Sequence, residues 1–114
     1  MASLNPQQII YSQELTTSDA TYYTVPSLTV TVVRRILFCN TTTSAVTFTV
    51  HYVTNGGAVG DDTMVIYEER LGPKKTVAPP ELEGIVLEAS DFISMKASAN
   101  NSVTVVASGT EVVA

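Results

Sequence analysis

The sequence predicts an all-β protein, a single antiparallel β-sandwich of jelly-roll-like form with about eight strands. Three observations predict it. Valine and threonine number sixteen each, 32 of 114 residues together, and their β-branched side chains are stiff at χ1 and suit a pleated surface better than a helix. Residues 28–54 hold two long β-forming runs separated by the polar stretch Asn40-Thr41-Thr42-Thr43-Ser44, and no helical period fits either run. Along the rest of the chain, turn-forming clusters recur roughly every 8 to 12 residues, the rhythm of short strands.

In chain order, residues 1–8 are polar with Pro6 among them, which predicts a loose N-terminal arm ordered by a neighbour, ahead of a sandwich domain spanning residues 9–114. Ile9, Tyr11 and Leu15 share a parity and mark a first strand. Residues 22–25 form a short second strand ending at Pro26, which cannot donate to a ladder. In the next run Leu28, Val30 and Val32 share one parity, but continuing it places Arg34 on the face of Ile36 and Phe38. A β-bulge between Val33 and Arg35 resolves that conflict. Beyond the polar stretch, Val46, Phe48, Val50 and Tyr52 alternate with Thr47, Thr49 and His51, so a hairpin with one dry and one wetter face is expected. The glycine-dense residues 54–62 form a loop, and residues 63–71 a strand. Within that strand Met64, Val65, Ile66 and Tyr67 are apolar on both parities, as for a strand covered on both faces, whether by the second sheet or by another subunit. Residues 72–84, with Pro73, Pro79 and Pro80, form an irregular crossing between sheets that holds one short strand, and strands at 85–88, 92–98 and 103–113 complete the domain.

Eleven acidic residues against six basic ones give a formal charge of −5, the wrong sign for neutralising phosphates, so nucleic acid and anionic membrane are not expected partners. The lone Cys39 cannot form an internal disulfide and, beside Leu37 and Phe38, reads as a buried thiol. The N-terminus lacks the charged and apolar regions of a signal peptide, and no apolar run approaches about 20 residues. Synthesis in a cytoplasm is expected, with Asn40 and Asn100 as turn residues rather than glycan sites.

No pattern of residues points to catalysis, a cofactor or a metal. His51 is the only histidine and reads as a surface or interface side chain, because metal or triad chemistry needs partners at a defined spacing. The stretch from Gly56 to Asp62 lacks the Lys-Ser/Thr ending of a phosphate loop, and Asp61 and Asp62 lack calcium-loop spacing, although two adjacent carboxylates leave an ion there open. The glutamates at 68, 69, 81, 83 and 88 read as solvated charges. Of the five tyrosines, Tyr22 and Tyr23 project to opposite sides of their strand, so one is expected at a contact. Tyr22, Tyr23, Arg34, Arg35, Lys74 and Lys75 are the candidate interface residues.

The segments Tyr22-Tyr23-Thr24-Val25-Pro26, Ile36-Leu37-Phe38-Cys39-Asn40-Thr41-Thr42, Ser44-Ala45-Val46-Thr47, Leu87-Glu88-Ala89-Ser90-Asp91-Phe92-Ile93 and Ser108-Gly109-Thr110-Glu111-Val112 occur in an order that resembles small β-sandwich virion proteins of tailed bacteriophages. The resemblance spans residues 22–113. It implies a capsid decoration (cement) protein on the phage major capsid protein, or a tail, neck or fibre-associated component bound to tail proteins. It also implies a homo-oligomer, with a trimer favoured, located in the virion, and it transfers no catalytic residue. A carbohydrate-binding module of the same architecture, using exposed tyrosines and loop carboxylates, is the alternative from a different class.

Overall fold

The computed structural model describes residues 3–113. Nine strands run in order as β1 (Ser3–Glu14), β2 (Ala20–Thr24), β3 (Thr29–Asn40), β4 (Val46–Val53), β5 (Met64–Leu71), β6 (Thr76–Val77), β7 (Val86–Leu87), β8 (Phe92–Ala97) and β9 (Val103–Val113). One sheet has the order β1-β9-β3-β6, with β7 also pairing β3, and the other has β2-β8-β4-β5. All pairings are antiparallel. Because β6 and β7 share one flank of β3, the nine strands fill eight positions, and their order is that of a jelly roll. The first sheet is called sheet A below, and the second sheet B.

The long run that opens sheet A shows how the sequence sets the fold. In β3, Thr29, Thr31 and Val33 are buried, then Ile36, Phe38 and Asn40, while Arg34 and Arg35 between the two sets are exposed. Pairing with β9 jumps from Val33 opposite Gly109 to Arg35 opposite Ser108, so Arg34 is the extra residue of a bulge, as the parity conflict required. The close backbone approach there demands glycine across the ladder: a Cβ at Gly109 would lie 2.7 Å from the Val32 carbonyl oxygen. Two twelve-residue strands, β1 and β3, each run about 40 Å and account for most of the 49 Å long dimension.

The expected hairpin between the two long runs is not formed. β3 lies in sheet A and β4 in sheet B, so residues 41–45 are an arch that crosses the sandwich. A polar link of that length serves either geometry; burial decides between them. Phe38 and Phe48 are both fully buried, and their rings stack from opposite sheets at 4.2 Å and 19°. Asn40, also fully buried, holds the corner. Its amide nitrogen donates to the carbonyls of Ser44 (2.8 Å), Leu71 (3.1 Å) and Gly72 (3.1 Å), and its oxygen accepts from the Thr42 N–H at 2.9 Å and the Thr42 hydroxyl at 2.7 Å.

The loose arm expected at residues 1–8 is also corrected, with Met1 and Ala2 lying outside the described residues. From Ser3 onward the chain is the first half of β1, paired with β9 from Ser3 opposite Val113 to Gln8 opposite Ser108. Its side chains from Leu4 to Gln8 are exposed, and backbone hydrogen bonds alone hold it, which a side-chain pattern does not reveal. A register shift after Gln8 then lets Ile9 and Ile10 both enter the core. Val50, Ile93, Met95, Val105 and Leu82 complete that core.

Candidate functional site

Directly opposed residues of an antiparallel pair share a face, so the pairing register draws the outer surface of sheet A. Leu4, Val112 and Val30 form one cross-strand row, and Pro6, Thr110, Val32 and Val86 form the next. Leu4 and Val86 are 71% and 56% exposed, and the valines of β3 and β9 are half-buried only by their strand neighbours. The inner rows run through Thr31 and Leu87, both buried. One end of sheet A thus carries an apolar face that no other element among the described residues covers.

Beside that face the bulge projects Arg34 and Arg35. Arg35 pairs with Glu83 at 3.7 Å with both side chains exposed, so the contact orients more than it stabilises. Both arginines, with Glu83, Pro6, Gln8 and Ser108, line an open cleft of about 670 Å³. Apolar face and basic rim together make a surface suited to adhesion to a partner.

Sheet B has the opposite character. Its outer rows hold Thr49 opposite Lys96 and His51 opposite Ser94, and Thr49, His51 and Ser94 are buried. His51, expected at a surface or an interface, lies only 3% exposed within the chain: Nδ1 is 3.0 Å from the Thr63 hydroxyl and Nε2 is 3.9 Å from the Asp19 carboxylate. The flanking loops close over it, and no sequence spacing announces such a cover. Among the described residues no group of three or more His, Cys, Asp or Glu side chains is placed to hold a metal ion.

The six candidate interface residues fall in three places. Arg34 and Arg35 rim the apolar face. Lys74 and Lys75 lie at the corner next to the arch, where Lys74 has φ +57 and donates from Nζ to the Thr41 carbonyl at 2.8 Å. Tyr22 and Tyr23 do not project to opposite sides: a register shift between Thr21 and Tyr23 lets both rings pack against the core. The Tyr22 hydroxyl donates to the Glu14 carbonyl at 3.3 Å, and the Tyr23 hydroxyl meets Thr31 at 2.7 Å and Glu111. Cys39, expected to be buried, is half-exposed, because it shares the outward parity of Leu37 while Phe38 and Asn40 point inward. In β5 the chain itself covers one face only, since Ile66 is buried whereas Tyr67 is 69% exposed. The residues of the apolar face that the sequence missed are Leu4, Val30, Val32, Val86 and Val112; only the pairing register shows that they share a face.

Two phenols tie stability to pH. Burial first, and then the bond to Glu111, push the Tyr23 hydroxyl well above the usual tyrosine range, and burial does the same to Tyr52, whose hydroxyl donates to the Leu82 carbonyl at 3.0 Å. A raised folded-state value means that the native protein keeps a proton the unfolded chain gives up near pH ~10. Stability is therefore unaffected below that pH and falls above it. In an alkaline titration, tyrosinate absorbance from these two residues should rise together with loss of the β-sheet circular dichroism. Independent ionisation in a still-folded protein contradicts this.

What the fold and the surface define is a jelly-roll sandwich with one outer face that is polar and loop-covered over β4 and β8, and another that is apolar and bare at one end. No family model and no curated protein matches the sequence. Among solved structures, the chain is similar to a protein of Bacillus endospore appendages, described as a family of disulfide-linked pili, with TM-score 0.57 and 13% identity over 97% of this chain and 88% of that one. A chain in the structure of infectious bursal disease virus, Gx strain, matches at TM-score 0.46 and 11% identity over 97% of this chain and 31% of that one. At these identities the likeness is one of fold.

Proposed function

We propose that this chain is a non-enzymatic structural subunit of a virion: a homotrimeric decoration protein that clamps the head shell of a tailed bacteriophage and is made in the host cytoplasm. The observation that carries the reading is the apolar outer face of sheet A, with Arg34 and Arg35 at its rim. A protein that holds neighbours together needs contact area rather than perturbed reactive groups. On a chain of formal charge −5, the two arginines give the face a local positive rim, which favours an acidic border on the shell protein. The phage assignment rests on the order of segments in the sequence, and the jelly-roll topology is compatible with it.

The same surface would serve a tail or neck component, and the partner decides between them. A glycan-binding role is less well supported: the exposed tyrosines, Tyr11 and Tyr67, lie in β1 and β5, in different sheets, and form no common sugar platform. The test mixes the purified chain with phage heads stripped of decoration and, separately, with tails, then sediments the particles. Co-sedimentation with heads, at a saturating ratio set by the shell lattice, is expected. Binding to tails alone moves the assignment to the tail, and binding to neither, with capture on a glycan array instead, overturns the structural role.

A further inference from the structure

The loop joining β4 to β5 begins with a turn at residues 54–57 that carries the pair Asn55-Gly56. The Gly57 N–H closes the turn on the Thr54 carbonyl at 2.8 Å. Gly56 has φ +83°, and nothing lies within 4 Å of where its Cβ would stand. Both residues are exposed. The backbone N–H of Asn55 donates to Asp91 Oδ1 at 2.9 Å, but among the described residues neither the Asn55 side-chain amide nor the Gly56 N–H makes a hydrogen bond. Electrophile and nucleophile are thus adjacent, unengaged and free of steric cover.

We propose that Asn55 is a site of spontaneous deamidation. The Gly56 backbone nitrogen, on losing its proton, attacks Cγ of Asn55; a C–N bond forms, and the side-chain nitrogen leaves as ammonia, closing a five-membered imide. Water then adds to one of the two imide carbonyls and opens the ring to aspartate or isoaspartate, with no change of oxidation state. The other asparagines are blocked or slower on this route. Asn5 precedes Pro6, whose nitrogen has no proton to lose, and Asn40 has its amide fully engaged at the arch. Asn100 accepts the Thr17 N–H at 2.9 Å and, like Asn101, is followed by a residue whose side chain crowds the attacking nitrogen.

The modification has a structural consequence. Asp91 ties this turn to its own, accepting from the Asn55 N–H at Oδ1 and from the Glu88 N–H at Oδ2 (2.8 Å), while its carbonyl accepts the Val25 N–H at 2.9 Å. A carboxylate created at position 55 stands beside that of Asp91 and repels it, loosening the tie.

The test incubates the full chain in heavy-oxygen water at mildly alkaline pH and maps its peptides by mass. Expected are heavy oxygen and isoaspartate at residue 55, and an acidic species on ion exchange that accumulates faster as pH rises and is lost in Asn55→Gln. Absence of label at residue 55, label spread evenly over the five asparagines, or persistence of the acidic species in Asn55→Gln overturns the proposal. Peptide mapping of the unsubstituted protein decides the matter even if the variant folds poorly.

Discussion

Replacing Phe48 with alanine is expected to lower the unfolding free energy by about 3–5 kcal/mol, the range for deleting a buried aromatic ring from a core. That is a large fraction of the roughly 5–15 kcal/mol that holds such a domain together. The size follows from position. Phe48 has no exposed surface, and its ring stacks on Phe38 at 4.2 Å. The two residues come from sheets that are not hydrogen-bonded to each other at this point, so the ring pair is a direct apolar link across the sandwich. A double-mutant cycle with Phe38→Ala should return a coupling of about 0.5–1.5 kcal/mol, the double variant losing that much less than the sum of the two separate losses. Urea unfolding checks both values. A loss within about 0.5 kcal/mol, as for a surface site, contradicts the stacking.

Asn40→Ala should cost about 2–3 kcal/mol, because it removes a fully buried amide and leaves the buried Leu71 carbonyl without its donor. The amide nitrogen has two hydrogens for the three carbonyls of Ser44, Leu71 and Gly72, so one hydrogen is shared, and removing the donor strands the buried Leu71 carbonyl while the half-buried bonds to Ser44 and Gly72 are lost with it. Asn40→Asp discriminates this from loss of packing. It keeps the shape and the acceptor for Thr42 but turns a carboxylate toward three carbonyl oxygens. At neutral pH it should destabilise at least as much as alanine, with partial recovery as acid protonates the carboxyl and restores one donor. Thermal melts at neutral and acid pH measure this. An aspartate variant as stable as the parent at pH 7 would falsify the account of the arch.

The strands of this fold were legible in the sequence, and their partners less so. Alternation between Val46 and Tyr52 and the parity break at Arg34 follow from burial on one face of each strand, so they located β4 and the bulge correctly. The arch at residues 41–45 was not legible as such, because an inward Phe38 and an inward Phe48 satisfy the pattern of a hairpin as well as that of a sandwich corner. β1 from Ser3 to Gln8 was missed since it is held by backbone hydrogen bonds to β9 rather than by apolar side chains. At the candidate site, Arg34 and Arg35 were found through the bulge. The apolar face next to them needed the register, since Leu4, Val86 and Val112 are far apart in the chain.

The same register sets what sheet A presents outward. Because no α-helix occurs among the described residues to cover it, its apolar rows must be tolerated bare or buried by another molecule. The outer side of sheet B over β4 and β8 is polar and closed at Thr49, His51 and Ser94, so that part needs no such partner.

The most direct measurement compares two lysine variants for binding to undecorated phage heads by sedimentation: Val86→Lys on the apolar face and Tyr67→Lys on β5, both at exposed positions. Adhesion through sheet A predicts that the first weakens binding by about tenfold or more, equivalent to about 1.4 kcal/mol, while the second leaves it unchanged. Equal affinities for the two variants, or loss only with Tyr67→Lys, would contradict it.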